Sequence, residues 1–203
     1  MKKFFTISAI LMLAVTLNVQ AQKTFMEGNV MSTDPINPAA FNEKLFQDVL
    51  IYKINTYMDS LGLEGYEAHE FFVKPAREHA IMMSEDEDAS LEGPGGYKTV
   101  RDRLMAVGGS GIGAEVVGRI TIRVSNEYIS YESLADQVFE RWKTGKYSKD
   151  LFSQKYFFAG VSGKLDATQK KVFVSMYLGN YASFAPSMGS EGELAVHVTT
   201  KKY

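Results

Sequence analysis

The sequence predicts an α+β fold, on three observations. Apolar residues recur at helical spacing in several segments of the first half. Two runs near the end, Phe157 to Leu165 and Lys171 to Tyr181, are β-branched and aromatic. Helical patterns precede most strand patterns and no repeat is visible, which separates α+β from an alternating α/β chain.

The elements follow in order. Residues 22–36 are polar and irregular and read as an arm leading to the domain. Asn37-Pro38 reads as an N-cap followed by proline at the first helical position, where no N–H is needed. Phe41, Leu45, Val49 and Tyr52, flanked by Phe46, Leu50, Ile54 and Tyr57, give a broad apolar face on a helix running to about Leu61, with Gly62 as its stop. A second helix is expected near Pro75, with Ala76, Ala80 and Met83 on one face. It ends in Glu85-Asp86-Glu87-Asp88, ahead of the Gly93-Pro94-Gly95-Gly96 loop. Thr99 is placed to cap a short third helix with Val100, Leu104 and Val107 inward, closed by Gly108-Gly109. Ile120, Ile122 and Val124 alternate with Thr121, Arg123 and Ser125 as a short half-buried strand. Ser133 and Asp136 suggest a capping-box start for a helix carrying Leu134, Val138 and Trp142, and Asp150 to Ser153 one further turn. The two late runs, separated by Asp166-Ala167-Thr168-Gln169, read as an antiparallel hairpin. After a break from Ala185 to Gly192, Leu194, Val196 and Val198 alternate as a last strand.

The first residues carry a different signal. Lys2 and Lys3, the apolar heart from Ile10 to Leu17, and Val19-Gln20-Ala21 fit a signal peptide cleaved before Gln22. The apolar run is short for a membrane span and is followed by polar residues, so no transmembrane segment is expected after cleavage. The division is then 1–21 signal peptide, 22–36 N-terminal arm, 37–184 folded domain and 185–203 C-terminal tail. Losing two lysines takes the net charge from −2 to −4, which offers no electrostatic footprint for nucleic acid. The absence of cysteine excludes disulfides, thiolate zinc sites and a cysteine nucleophile. A secreted or periplasmic protein built this way rests on packing alone.

Motifs with chemistry are few. Gly109-Ser110-Gly111-Ile112-Gly113-Ala114 has the spacing of a dinucleotide fingerprint, but it follows a helix and precedes a strand, so it reads as a loop. The acidic run from Glu85 to Asp88 lacks the spaced ligands of a calcium loop and reads as a solvated helix end. His69, His79 and His197 are scattered without metal-ligand spacing, and His79 reads as a hydrogen-bonded core residue. The late aromatics suit either a sugar groove or, more in keeping with strand spacing, a core. No serine sits in a nucleophile elbow.

The order of segments adds a resemblance. Ala76-Arg77-Glu78-His79-Ala80-Ile81-Met82-Met83 resembles the A-x-x-H-A-x-x-M helix of the CAP superfamily (cysteine-rich secretory, antigen 5 and pathogenesis-related proteins, or SCP-like domains). Arg103-Leu104-Met105-Ala106-Val107-Gly108 is similar to its R-L-x-x-x-G, and Gly113-Ala114-Glu115-Val116 stands in the place of G-E-N-I. Trp142 with Leu151-Phe152 resembles the bacterial W-x-x-S-x-x-H-x-x-x-L-L segment. Gly160-Val161 and Val172 to Gly179 resemble the closing strands. The resemblance covers about residues 41–181 and implies a divergent bacterial CAP domain folded as a three-layer α–β–α sandwich.

It also implies a central cavity where two histidines and acidic residues hold a divalent ion. This chain departs from that pattern. The first histidine falls near Leu91 and the second near Tyr147 or Ser148, and neither place holds an imidazole. Glu115 survives, shifted by one residue, and Met176 replaces the strand glutamine. A lone carboxylate makes a poor zinc site, so neither metal nor cofactor is expected. The cavity or ligand candidates are Glu115, Tyr147, Ser148, His79 and Met176, with no catalytic residue assigned. The leading expectation is a secreted, non-catalytic binding or interaction module with a degenerate cavity, its partner a small molecule, lipid, peptide or protein. A hydrolase using Glu115 as general base with Tyr147 as hydrogen-bond donor is the alternative. A purely structural domain, with Glu115 fixing loop amides, is the third.

Overall fold

The first long helix starts five residues later than the Asn37-Pro38 signal suggests. The computed structural model describes residues 23–92 and 99–184. Asn37 instead closes a turn, accepting from Ala40 N at 3.0 Å. Asn42 Oδ1 caps helix α1 (Glu43–Ser60) by accepting from Leu45 N at 3.0 Å. A long-range contact selects this start: Asn42 N donates to the Tyr131 hydroxyl at 2.8 Å, and Phe41 packs on Phe46 and Tyr131. The preceding arm is more ordered than its composition suggests. Strands β1 (Met26–Glu27) and β2 (Val30–Met31) pair antiparallel, Ile36 is buried, and buried Ser32 donates to Glu132 at 2.7 Å.

Pro75 does not open its helix. Strand β3 (Glu67–Ala68) leads into helix α2 (Glu70–Glu85), whose N-cap is His69: its Nδ1 accepts from Phe71 N at 3.2 Å. Pro75 therefore lies inside the helix, where it removes one main-chain hydrogen bond. Burial of Phe72 and Val73, which only the longer helix provides, outweighs that loss. Helix α3 (Val100–Ala106) begins where expected, with Thr99 and Asp102 forming a reciprocal capping box.

Strand β4 (Ala114–Thr121) starts six residues before the alternation at Ile120. Its residues from Glu115 to Gly118 are all buried, so no polar/apolar alternation marks that stretch. Val124 is exposed in a separate hairpin, β5 (Arg123–Val124) with β6 (Glu127–Tyr128). Helix α4 (Tyr131–Thr144) is capped by Ser130, which accepts from Ser133 N, so Ser133 supplies the amide and not the cap. Helix α5 (Ser148–Leu151) is one turn. Strands β7 (Phe158–Asp166) and β8 (Lys171–Gly179) form the expected antiparallel hairpin.

The main sheet has the order β3-β7-β8-β4, parallel only between β3 and β7. Helices cover both faces. Val172, Val174, Met176 and Leu178 of β8 join α1 and α4 in one apolar cluster. Phe173 and Tyr177, on the alternate face, join residues of α2 in two smaller clusters. Close approach of α2 depends on Gly160: a Cβ there would stand 2.2 Å from the carbonyl carbon of Phe72. The fold is α+β. The signal segment, the Gly93–Gly96 loop, His197 and the last strand lie outside the described residues.

Candidate functional site

Four elements deliver polar side chains to the α2-facing side of the sheet. Glu115 on β4 lies opposite Tyr177 on β8, and Ser175 is two residues further along the same face. His79 comes from the second half of α2 and Arg103 from α3. All five are buried. A buried carboxylate must be bonded to remain in place. Glu115 Oε1 accepts from His79 Nδ1 at 2.5 Å and from Ser175 Oγ at 2.6 Å, and Oε2 accepts from Arg103 Nη2 at 2.5 Å. Arg103 Nε donates to the Tyr177 hydroxyl, and Nη2 also donates to Leu91 O at 2.9 Å. Glu115 is thus held by side chains, not by the loop amides expected from the sequence.

The electrostatics follow from burial. Burial penalises the Arg103 charge, yet the adjacent Glu115 carboxylate and Tyr177 hold its pKa above the ordinary guanidinium value. Burial, then the Glu115 charge, pushes the Tyr177 phenol well above its usual range, so it stays protonated. The group is an acid–base pair closed on itself.

The remaining sequence candidates do not converge with Glu115. Met176 faces the α1–α4 side and is buried in that core. Ser148 opens α5 and is half-buried. Tyr147 packs with Ala89 and Leu91 against Ala80, Met83, Val117 and Phe173. Apolar contacts therefore occupy both places where the resemblance expects imidazoles. His79 Nε2 is buried without a hydrogen-bond partner among the described residues, and His79 borders a cavity of about 280 Å³ with Asp86, Asp88, Ser90 and Glu92. Among the described residues, no group of three or more His, Asp or Glu side chains could hold a metal ion.

A larger cavity, about 340 Å³, lies at the free edge of β4. The edge carbonyls there are covered from α4: Trp142 Nε1 donates to Val117 O at 2.9 Å and Arg141 Nη1 to Arg119 O at 2.6 Å. Tyr147 lines this cavity, as do Arg119, Arg141 and Lys146. The sequence reading passed over these cations, because their spacing is not periodic. Arg103, Ser175 and Tyr177 were missed for another reason: each lies in a different segment from Glu115. The available signal was two polar residues, Ser175 and Tyr177, on one face of an otherwise apolar central strand.

The sequence matches no known protein family, and no curated protein matches it. Solved structures do match. An extracellular protein containing an SCP domain from Bacillus anthracis aligns with a TM-score of 0.54 and 16% identity, over 74% of this chain and 46% of that one. The fold is that of an SCP domain. An outer surface protein from Borrelia burgdorferi aligns with a TM-score of 0.53 and 15% identity, over 73% of this chain and 98% of that one. Glu115 is buried and does not border either cavity described above. No helix among the described residues is long and apolar enough to cross a membrane.

Proposed function

We propose that this SCP-type domain is exported and acts by binding, not by catalysis. The observation that carries this is the enclosure of Glu115. A general base needs an oxygen within reach of a substrate proton. Both oxygens of Glu115 already accept short bonds from buried donors. Tyr147, the donor in the hydrolase alternative, borders a cavity that Glu115 does not. Export is supported by the basic start, apolar run and Val19-Gln20-Ala21 site. The two structural neighbours, one an outer surface protein and the other an extracellular protein, agree with it. Its partner is a small molecule, lipid, peptide or protein reached from the surface, and the metal site that the resemblance implies is degenerate.

The test compares wild type with Glu115→Gln on a panel of nitrophenyl esters and chromogenic peptides. The reading expects no turnover that depends on Glu115. Turnover lost in a Glu115→Gln protein that remains folded would overturn it.

A further inference from the structure

We infer that the cavity at the β4 edge binds a small organic anion, a carboxylate or phosphate attached to a compact apolar group. This deepens the binding-module reading and rests on it. Three cations border the cavity: Arg119 from the sheet edge, Arg141 from the last turns of α4, and Lys146 from the loop that follows. Arg119 donates to Glu87 O at 2.8 Å and Arg141 to Arg119 O, so main-chain carbonyls hold both guanidinium groups in place. The ion pairs among the described residues involve none of the three. Lys146 Nζ instead lies 5.0 Å over the Tyr147 ring. Such a set is short of negative charge, and a planar or tetrahedral oxyanion suits the guanidinium fork.

The rest of the cavity says what the anion is attached to. Half-buried Tyr147 and Ala89 line it with the buried Trp142 and Val117 behind them, giving an apolar and aromatic wall next to the cations. Gly118 lets the indole seat there: a Cβ at 118 would lie 3.2 Å from Trp142 Nε1. A volume of about 340 Å³ falls at the small end of ligand sites, enough for a ring and one charged group. Asp88 is the single carboxylate bordering the cavity among the described residues, and it opposes the anion.

Trp142 is the chain's single tryptophan and one of the residues lining this cavity, so its emission responds to occupation of it. Protein lacking residues 1–21 is titrated with benzoate, phenyl phosphate, inorganic phosphate and neutral benzyl alcohol, followed by Trp142 emission and in parallel by calorimetry. Saturable binding is expected for benzoate or phenyl phosphate, and the stronger of the two tells carboxylate from phosphate. Inorganic phosphate should bind more weakly and benzyl alcohol not at all. Arg141→Gln and Lys146→Glu should each raise the dissociation constant about tenfold, as for one lost charge-assisted contact. Lys146 is exposed, so its variant keeps the test valid if Arg141→Gln fails to fold. Asp88→Asn should lower the constant about threefold by removing a like charge. No saturable signal by either method, equal binding of benzyl alcohol, or titrations that Lys146→Glu leaves unchanged would each overturn the inference. None of these results would touch the Glu115 reading, which is judged by turnover.

Discussion

Replacing Glu115 by Gln keeps the shape and removes the charge, which isolates what that charge does. The Gln carbonyl can still accept from Arg103 Nη2, but its NH2 then faces His79 Nδ1 and Ser175 Oγ. Ser175 can rotate to accept. His79 must give up the hydrogen on Nδ1, which places one on Nε2, an atom with no partner in its buried setting. The larger effect is on Arg103, whose guanidinium loses the buried carboxylate that neutralises it. Breaking a buried pair from one side costs about 3–5 kcal/mol, because the remaining charge stays desolvated. At about 2–4 °C per kcal/mol for a domain of this size, the melting temperature should fall by about 6–20 °C. Thermal unfolding followed by circular dichroism, with urea unfolding as a second measure, reads this directly. A midpoint within about 2 °C of wild type, under 1 kcal/mol by the same scale, would refute the reasoning and leave Glu115 free for another role.

Gly160→Ala should destabilise by at least about 1–3 kcal/mol in urea, since the new Cβ meets the α2 backbone, which has no flexible end to yield; an unchanged midpoint would mean α2 does not sit against β7 as described. Thr99 donates to Asp102 from both its hydroxyl and its N–H, which holds the Asp102 carboxyl below its ordinary pKa. A depressed folded pKa gives stability present above the unfolded value and lost as pH falls through the folded one. Wild type should therefore exceed Asp102→Asn at neutral pH and lose that advantage below about pH 4, as measured by melting curves across pH. Metal analysis of protein purified without chelators should find well under one zinc per chain; about one equivalent would revive the metal-site reading. N-terminal sequencing of exported protein should begin at Gln22, and an intact Met1 in the cytosol would contradict the signal-peptide assignment.

Local chemistry accounts for what the sequence revealed. Thr99 and Asp102 are three residues apart, so their capping box is written in the chain itself. The β7–β8 hairpin likewise announces itself through two β-branched runs and a polar turn. Distant partners erased other signals. The start of α1 is chosen by Tyr131, 89 residues away, and the early start of α2 by β3 pairing and the apolar surface of the sheet. Asn37-Pro38 and Pro75 are true local preferences that tertiary contacts override. At the site, Glu115 was visible only through the resemblance. Its meaning changed with its neighbours: Arg103 lies 12 residues away, His79 36 and Ser175 60, and no spacing rule joins them. Leu91 and Tyr147 stand where the resemblance expects histidines, and only their tertiary neighbours mark them as packing groups. The edge-strand cations escaped because a cluster assembled from β4, α4 and a loop has no pattern along the chain.

The most direct test of Glu115 as a closed structural node is a crystal structure of the protein lacking residues 1–21, grown with zinc present. The prediction is that Oε1 accepts from His79 Nδ1 and Ser175 Oγ while Oε2 accepts from Arg103, with neither metal nor water on the carboxylate. A zinc ion or an ordered water bound to Glu115, with Arg103 turned away, would contradict it.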